Sequence, residues 1–338
     1  MKKSEYFSFK FDNNKLIFLD QTKLPFEEVY VETDDYNRVA QAIETLEVRG
    51  APAIGVAAAY ALALSIKDCS ENIIEQTFQI AYERLLNTRP TAVNLFFCLN
   101  EMKNIFSENK YQKNIYEVLK LKAAQLHKDD IDKCDRIGKN GLAIFKKISN
   151  VLTHCNTGKL ATAGNGTAFN IIKMAFDRGL VSHVYVDETR PLYQGLRLTT
   201  FELEQNEIPF SVQTDSIAAI LMKEKKVDVV IVGADRIALN GDAANKIGTY
   251  NLAILCNFHD IPFYIAAPST TIDRTILTGE DITIEQRNKS EVLNIKSVPI
   301  APNSIEVFNP AFDVTPSYLI KGIITEDQVY HFPFNFMA

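Results

Sequence analysis

The 338-residue chain lacks most of the features that would tie it to metals, nucleic acid or membranes. Its five cysteines, Cys69, Cys98, Cys134, Cys155 and Cys256, form no Cys-x-x-Cys pair and accompany no paired-histidine spacing. Neither a disulfide framework nor a zinc site is therefore expected, and no other metal is implied. Reduced thiols point to a cytoplasmic setting. Concentrated positive charge is also missing: the formal net charge is −6, Lys146-Lys147 stands alone, and Glu224 interrupts the lysines of residues 223–226. A nucleic-acid partner would require a basic cluster, so none is expected. No apolar run reaches the ~20 residues of a membrane span. The longest, residues 51–66, contains Pro52 and Gly55 and reads as a buried helix. The opening MKKSEYFSFKFDNN carries two lysines with no apolar run behind them, so no signal peptide is expected. There is no internal repeat and no low-complexity segment. Gly164-x-Gly166 stops short of a dinucleotide fingerprint, which argues against a nicotinamide-dependent oxidoreductase.

What is present is ordinary globular composition, 46% hydrophobic and 23% charged, in a chain long enough for two domains. After short β-like segments at residues 6–11, 15–19 and 28–31, apolar residues recur at helical spacing over 53–66, 73–86, 92–106 and 115–148. The last of these is expected to break near Gly138–Gly141, and Pro90 suits a first helical turn. From about Asn150 the rhythm changes. Short apolar runs at 151–154, 183–186, 210–213, 227–232 and 263–266 alternate with helical segments at 168–178, 195–206, 216–225 and 247–258. That alternation implies crossover units and a parallel sheet covered on both faces. The expected fold is α/β: a C-terminal, doubly wound, Rossmann-like domain over 149–338, and a smaller, mainly helical N-terminal domain with short β-strands over 1–148.

In such sheets ligands gather where strands end. The first strand ends in His154-Cys155-Asn156-Thr157-Gly158. A cysteine there is either an inert buried thiol or one activated by helix N–H groups. A Cys–His dyad would require the strand to end before Cys155, because neighbouring strand residues face opposite ways. The fourth strand runs into Gly233-Ala234-Asp235-Arg236, where Asp235 is either a helix cap or a general acid beside an apolar wall. Asn245-Lys246 is expected to open the next helix and, with its N–H groups, to make an anion site. Between these, Asp187 or Thr189 suits a helix cap ahead of Gln194 and Gly195. Arg49-Gly50-Ala51 precedes the apolar helix and Arg89 precedes Pro90. Either arginine could grip a phosphate or join a surface ion pair.

Seven segments closely resemble the methylthioribose-1-phosphate isomerase family. They are VRGAPAIGVAAAYALAL from Val48, TRPTAVNL from Thr88, LTHCNTGKLATAGNGTA from Leu152, YVDETRPLYQGLRLT from Tyr185, VIVGADRIALNGDAANKIGTYNLA from Val230, FYIAAPSTTID from Phe263 and NPAFDVTP from Asn309. The family is related to regulatory subunits of a translation initiation exchange factor and to ribose-1,5-bisphosphate isomerases. The resemblance implies aldose–ketose isomerisation of 5-methylthioribose 1-phosphate in methionine salvage, or of 5-deoxyribose 1-phosphate by the same mechanism, without a cofactor. A non-catalytic regulatory relative is the other expectation. The resemblance also implies Cys155 and Asp235 as catalytic pair, and Arg49, Gly50, Ala51, Arg89, Gln194, Asn245 and Lys246 as substrate contacts. It further implies a homodimer.

Overall fold

The computed structural model describes residues 6–89 and 92–336, so Pro90 lies outside the described residues. The chain divides into two compact units. One comprises the chain up to Arg136 with Thr157–Gly166, and the other comprises Ile137–Asn156 with the chain from Thr167 onward.

In the first unit, β1 (Phe9–Asp12), β2 (Lys15–Leu19) and β3 (Tyr30–Thr33) form an antiparallel sheet. Helices α1 (Tyr36–Glu44), α2 (Ala51–Leu64), α3 (Ile74–Leu86) and α4 (Val93–Asn109) follow, then α5 (Ile115–Gly141), which enters the second unit at Ile137. The sequence pattern missed α1, whose start is capped by the Asp35 carboxylate accepting the Asn37 N–H at 2.8 Å. Helix α2 is apolar on every side and almost wholly buried, which is the environment such a helix requires. Among the described residues no helix is long and apolar enough to cross a membrane. Helix α5 runs through Gly138 and stops at Gly141, within the expected break at Gly138–Gly141; one mid-helix glycine costs only about 1 kcal/mol, so the helix passes the first glycine and ends at the second. Hydrogen bonds join the excursion Thr157–Gly166 to the rest of this unit: Gln21 Nε2 donates to the Leu160 carbonyl at 2.7 Å, the Ala163 N–H to Asp130 at 2.7 Å and Asn165 Nδ2 to Asp135 at 3.0 Å.

The second unit is built on β4 (Ser149–Thr153), α6 (Ala168–Phe176), β5 (Val181–Asp187), α7 (Thr200–Gln205), β6 (Phe210–Gln213), α8 (Ala218–Lys223) and β7 (Val229–Val232). A strand pair, β8 (Arg236–Ile237) and β9 (Ala243–Lys246), precedes α9 (Thr249–Phe258) and β10 (Phe263–Ala266). A small hairpin of β11 (Asn294–Ile295) and β12 (Val298–Pro299) leads to β13 (Phe312–Thr315), β14 (Gly322–Ile324) and β15 (Val329–His331). The main sheet has the order β6-β5-β4-β7-β10-β14-β15, parallel except for β15. Its strands alternate between two cores. Leu152, Val230, Val232, Phe263 and Ile265 pack on one face, and Val151, Val229, Ile231, Tyr264 and Ala266 pack on the other. Burial on both faces explains why these strands read as continuous apolar runs. The expected doubly wound, Rossmann-like sheet is thus present, with two short strands, β14 and β15, that the pattern did not reveal. A second sheet pairs β13 with β9 and β9 with β8, all antiparallel.

Candidate active site

The chain builds the sheet outward from β4 in one direction through β5 and β6, and from β7 in the other through β10 and β14. The reversal falls between β4 and β7, which pair directly through Val151 with Val229 and Leu152 with Val230. At such a switch point the loops leaving two neighbouring strands diverge and open a crevice. Cys155 leaves β4 there and Asp235 leaves β7, from strands that in any sheet lie about 4.8 Å apart. The Thr153 hydroxyl donates to the Ile231 carbonyl at 2.8 Å and ties the two strands just before they end.

Cys155 is buried and has a left-handed backbone, φ 62°. For a residue with a Cβ this conformation costs about 1–3 kcal/mol and persists only where its surroundings impose it. Two threonines do so. The Cys155 N–H donates to Thr189 Oγ1 at 2.8 Å, and Thr199 Oγ1 donates to the Cys155 carbonyl at 2.5 Å. Thr189 is itself fixed: its N–H and that of Arg190 donate to the two oxygens of Asp215 at 2.7 and 2.8 Å. Thr199 closes a π-helical turn, Gly195–Thr199, in which the Thr200 N–H reaches back to the Gly195 carbonyl. Such turns recur at functional sites. Gly195 is required here, because a Cβ would stand 1.8 Å from the Asp187 carbonyl. Burial pushes Cys98 up to about 12 and raises Cys134 and Cys256, which leaves these three thiols inert.

Asp235 is half-buried, and its N–H donates to the Ala244 carbonyl at 2.9 Å. The helix-cap alternative fails because β8, not a helix, follows Asp235. Ala244 lies in β9, so Asp235 is tied to the strand that ends in Asn245-Lys246. This corrects the expectation that Asn245-Lys246 opens a helix: α9 begins at Thr249, and two of the donors at its start are taken. The Gly248 and Tyr250 N–H groups donate to the Asp313 carboxylate at 2.7 and 3.0 Å. A carboxylate from β13 therefore occupies the place where an anion site was expected. Lys246 donates to the Ala311 carbonyl at 3.0 Å and lies over the Phe312 ring at 4.6 Å. Asn245, buried, donates to Thr249 Oγ1 at 2.9 Å.

The strand does end before Cys155, at Thr153, but both nitrogens of His154 are engaged elsewhere. Nε2 lies 2.9 Å from the Ile247 carbonyl and Nδ1 3.1 Å from Asp187 Oδ2. A carbonyl only accepts, so Nε2 carries a hydrogen, and one further proton is shared between Nδ1 and Asp187. Burial pushes His154 down, but the Asp187 hydrogen bond and charge, the Asp215 charge and the Ile247 carbonyl outweigh it, and its pKa lies above the ordinary imidazole value. Burial raises the Asp187 carboxyl as well, against the pull of His154, so the pair holds its proton firmly. Asp187 and Thr189, read from the sequence as helix caps, face His154 and Cys155 instead. Among the described residues His154, Asp187 and Asp215 are the three whose ligand atoms cluster closely enough for a metal ion. Hydrogen bonds already engage those atoms, which makes the cluster a structural brace.

Gln194, in the loop leaving β5, is buried, and its Oε1 accepts no hydrogen bond among the described residues. A native buried acceptor left so is uncommon and costs about 1–3 kcal/mol. Cys155, Gln194, Asp235, Asn245 and Lys246 thus all lie in the second unit, in segments that leave the carboxyl ends of β4, β5 and β7 or pair directly with them. Arg49, Gly50, Ala51 and Arg89 lie in the first unit. Arg49 and Gly50 precede α2, which begins at Ala51, and Arg89 is half-buried between α3 and α4. Thr199, His154 and Asp313 carry much of this geometry and were not read as site residues. The signals were faint: Thr199 and Asp313 lie inside two of the seven resembling segments, with nothing in their spacing to mark a role.

A doubly wound sheet with a thiol and a carboxyl at its switch point places the chain among α/β proteins that take small ligands at strand ends. It belongs to the Initiation factor 2 subunit family, which it matches over residues 47–329. It is 49% identical over 326 residues to the methylthioribose-1-phosphate isomerase of Thermotoga maritima, covering 96% of this chain and 95% of that one. Among solved structures, 5-methylthioribose 1-phosphate isomerase from Pyrococcus horikoshii OT3 matches with a TM-score of 0.91 at 39% identity, covering 98% of this chain and 94% of that one. Translation initiation factor eIF-2B, subunit delta, from A. fulgidus matches at 0.86 and 37% identity, covering 97% of each chain.

Proposed function

We propose that the chain is an aldose–ketose isomerase converting 5-methylthioribose 1-phosphate to 5-methylthioribulose 1-phosphate, a step of methionine salvage, with Cys155 and Asp235 as its acid/base pair. The observation that carries the pair is their departure from adjacent strands, β4 and β7, at the switch point of the sheet. The substrate is supported by the near-full-length similarity to the Thermotoga maritima isomerase.

The anomeric oxygen of this substrate is esterified, so the sugar cannot open to a free aldehyde. In the proposed route Asp235 protonates the ring oxygen as its bond to C1 breaks, and the Cys155 sulfur takes the C2 proton, leaving an enol phosphate. Cys155 then returns a proton to C1 while the C2 hydroxyl gives its own to Asp235, so both groups end as they began. Each well-placed acid or base contributes about 10²–10⁴ in rate. The orphaned Gln194 Oε1 supports a hydrogen bond from a substrate hydroxyl, and Asn245 and Lys246 adjoin Asp235 through β9. For Arg49, Gly50, Ala51 and Arg89 the support is the resemblance of their segments. If either arginine holds the phosphate, its substitution by Met raises KM.

The test is turnover by the purified protein, followed by NMR in deuterated water. Conversion of 5-methylthioribose 1-phosphate in preference to 5-deoxyribose 1-phosphate and ribose 1,5-bisphosphate supports the reading, and label at C1 supports the enol route. Unlabelled product would favour a hydride shift from C2 to C1. The similarity to the A. fulgidus factor favours a second reading, a regulatory subunit that binds sugar phosphate or nucleotide without turnover. Absence of isomerisation with all three sugars would establish it over the first.

A cytoplasmic homodimer is the proposed setting. Five cysteines outside any disulfide support the compartment, and the exposed stripe Tyr250, Ile254 and Phe258 along α9 supports an assembly face. Sedimentation of wild type and Phe258→Glu tests the latter.

A further inference from the structure

His154 is fully buried, and its ring joins two segments that the proposed reaction needs in register. On one side it is the residue before Cys155. On the other, its Nε2–H donates to the carbonyl of Ile247, the residue after Lys246, at 2.9 Å. Gly248 lies flat against the same ring: with φ 103°, it leaves so little room that a Cβ would stand 2.9 Å from the imidazole Cε1. The ring is held from behind by Asp187, whose Oδ2 lies 3.1 Å from Nδ1 and whose Oδ1 accepts from Gln213 Nε2 at 3.0 Å. The whole chain of contacts, from β6 through β5 and β4 to the turn before α9, is made of directional hydrogen bonds between buried or half-buried groups. Buried ion pairs are a weak source of net stability, and removing one partner alone leaves a buried charge uncompensated.

We infer that His154 and Asp187 are positioning residues for the isomerisation, Asp187 orienting the imidazole and the imidazole holding the Asn245-Lys246-Ile247 segment in register with Cys155. The inference rests on the reading of Cys155 and Lys246 given under the proposed function.

Two substitutions separate the two bonds. In His154→Gln the amide nitrogen falls where Nε2 stands, so the Ile247 bond can survive and the Asp187 bond is lost. In His154→Asn it falls where Nδ1 stands, so the Asp187 bond can survive and the Ile247 bond is lost. A displacement of about 1 Å costs about 10²-fold in rate, so both variants should lose kcat on that scale. His154→Asn should also raise KM for the sugar phosphate, while His154→Gln leaves KM near the wild-type value. Where a single substitution fails to fold because one charge is left buried, His154→Gln/Asp187→Asn removes both charges and should show the His154→Gln pattern.

A readout that needs no substrate accompanies the kinetics: the rate at which iodoacetamide alkylates Cys155 in the full chain, followed by mass spectrometry. It should rise in the folded variants as the thiol loses its fixed seat. Wild-type protein that turns over no sugar phosphate would sink the proposed activity, and the alkylation rate would still judge the inference. Variants with wild-type kcat, KM and alkylation rate, or losses that only follow the folded fraction seen by circular dichroism, would overturn it.

Discussion

Replacing Thr199 with valine keeps the outline of the side chain and deletes one hydroxyl. That hydroxyl donates to the Cys155 carbonyl at 2.5 Å and lies 3.3 Å from Asn156 Nδ2. Valine leaves a buried carbonyl without that donor, at a cost of about 1–3 kcal/mol. The consequence for the site is larger than for the fold. Cys155 holds a left-handed conformation that opposes it by about 1–3 kcal/mol, and Thr189 and Thr199 grip its N–H and its carbonyl. With one grip gone, the penalty is of the same size as the remaining restraint, and Cys155 can relax and carry its sulfur away from the crevice. A displacement of about 1 Å is worth about 10²-fold in rate. Thr199→Val should therefore lower kcat on 5-methylthioribose 1-phosphate about 10- to 100-fold, with KM little changed. Urea unfolding, run in parallel, should show the modest loss of stability. Wild-type kcat alongside that loss would refute the reasoning, because the hydrogen bond would then support the fold without positioning the thiol.

Asp242→Ala should lower the urea midpoint without changing the slope, since the carboxylate accepts from the Gly279 and Ser317 N–H groups at 2.9 and 2.7 Å and joins three loops. The cost should be about 1–3 kcal/mol. Although burial pushes the Asp242 carboxyl up, Asn240 and those N–H groups outweigh it and hold it below the ordinary range. Its contribution is therefore present above about pH 3.9 and is lost as pH falls through the depressed value; the wild type and Asp242→Ala should converge in acid. The His154–Asp187 pair has the opposite sign. The folded chain keeps a proton that the unfolded chain releases near pH 6.5, so stability should decline as pH rises beyond that point. Denaturant curves across pH should show this decline in the wild type and less of it in His154→Gln/Asp187→Asn. Gly195→Ala should yield little folded protein, because its Cβ would meet the Asp187 carbonyl at 1.8 Å; a soluble, active variant would contradict that.

The sheet was legible because β4, β7 and β10 are buried on both faces, so their apolar runs are continuous and bounded by turns. β14 and β15 were not, being three residues each and unflanked by a helical rhythm. The loops after β4 and β7 could be located from the alternation alone, and with them Cys155 and Asp235. What the sequence could not show is how distant polar groups converge. Nothing near residue 155 announces that Thr189 and Thr199 will hold its backbone, because those contacts depend on a π-helical turn and a glycine approach at Gly195. The same limit explains the misread helix start. The helix was expected to open at Asn245-Lys246 with its N–H groups free for an anion; it opens at Thr249, and β13 brings Asp313 onto the Gly248 and Tyr250 N–H groups.

The most direct test of the central claim is kcat/KM for Cys155→Ser, Asp235→Asn and the double variant, each verified as folded. If the two groups act as one acid/base pair, each single substitution lowers the rate by about 10²–10⁴, and the double loses little more than the worse single. A near-wild-type rate in either single variant would contradict the account.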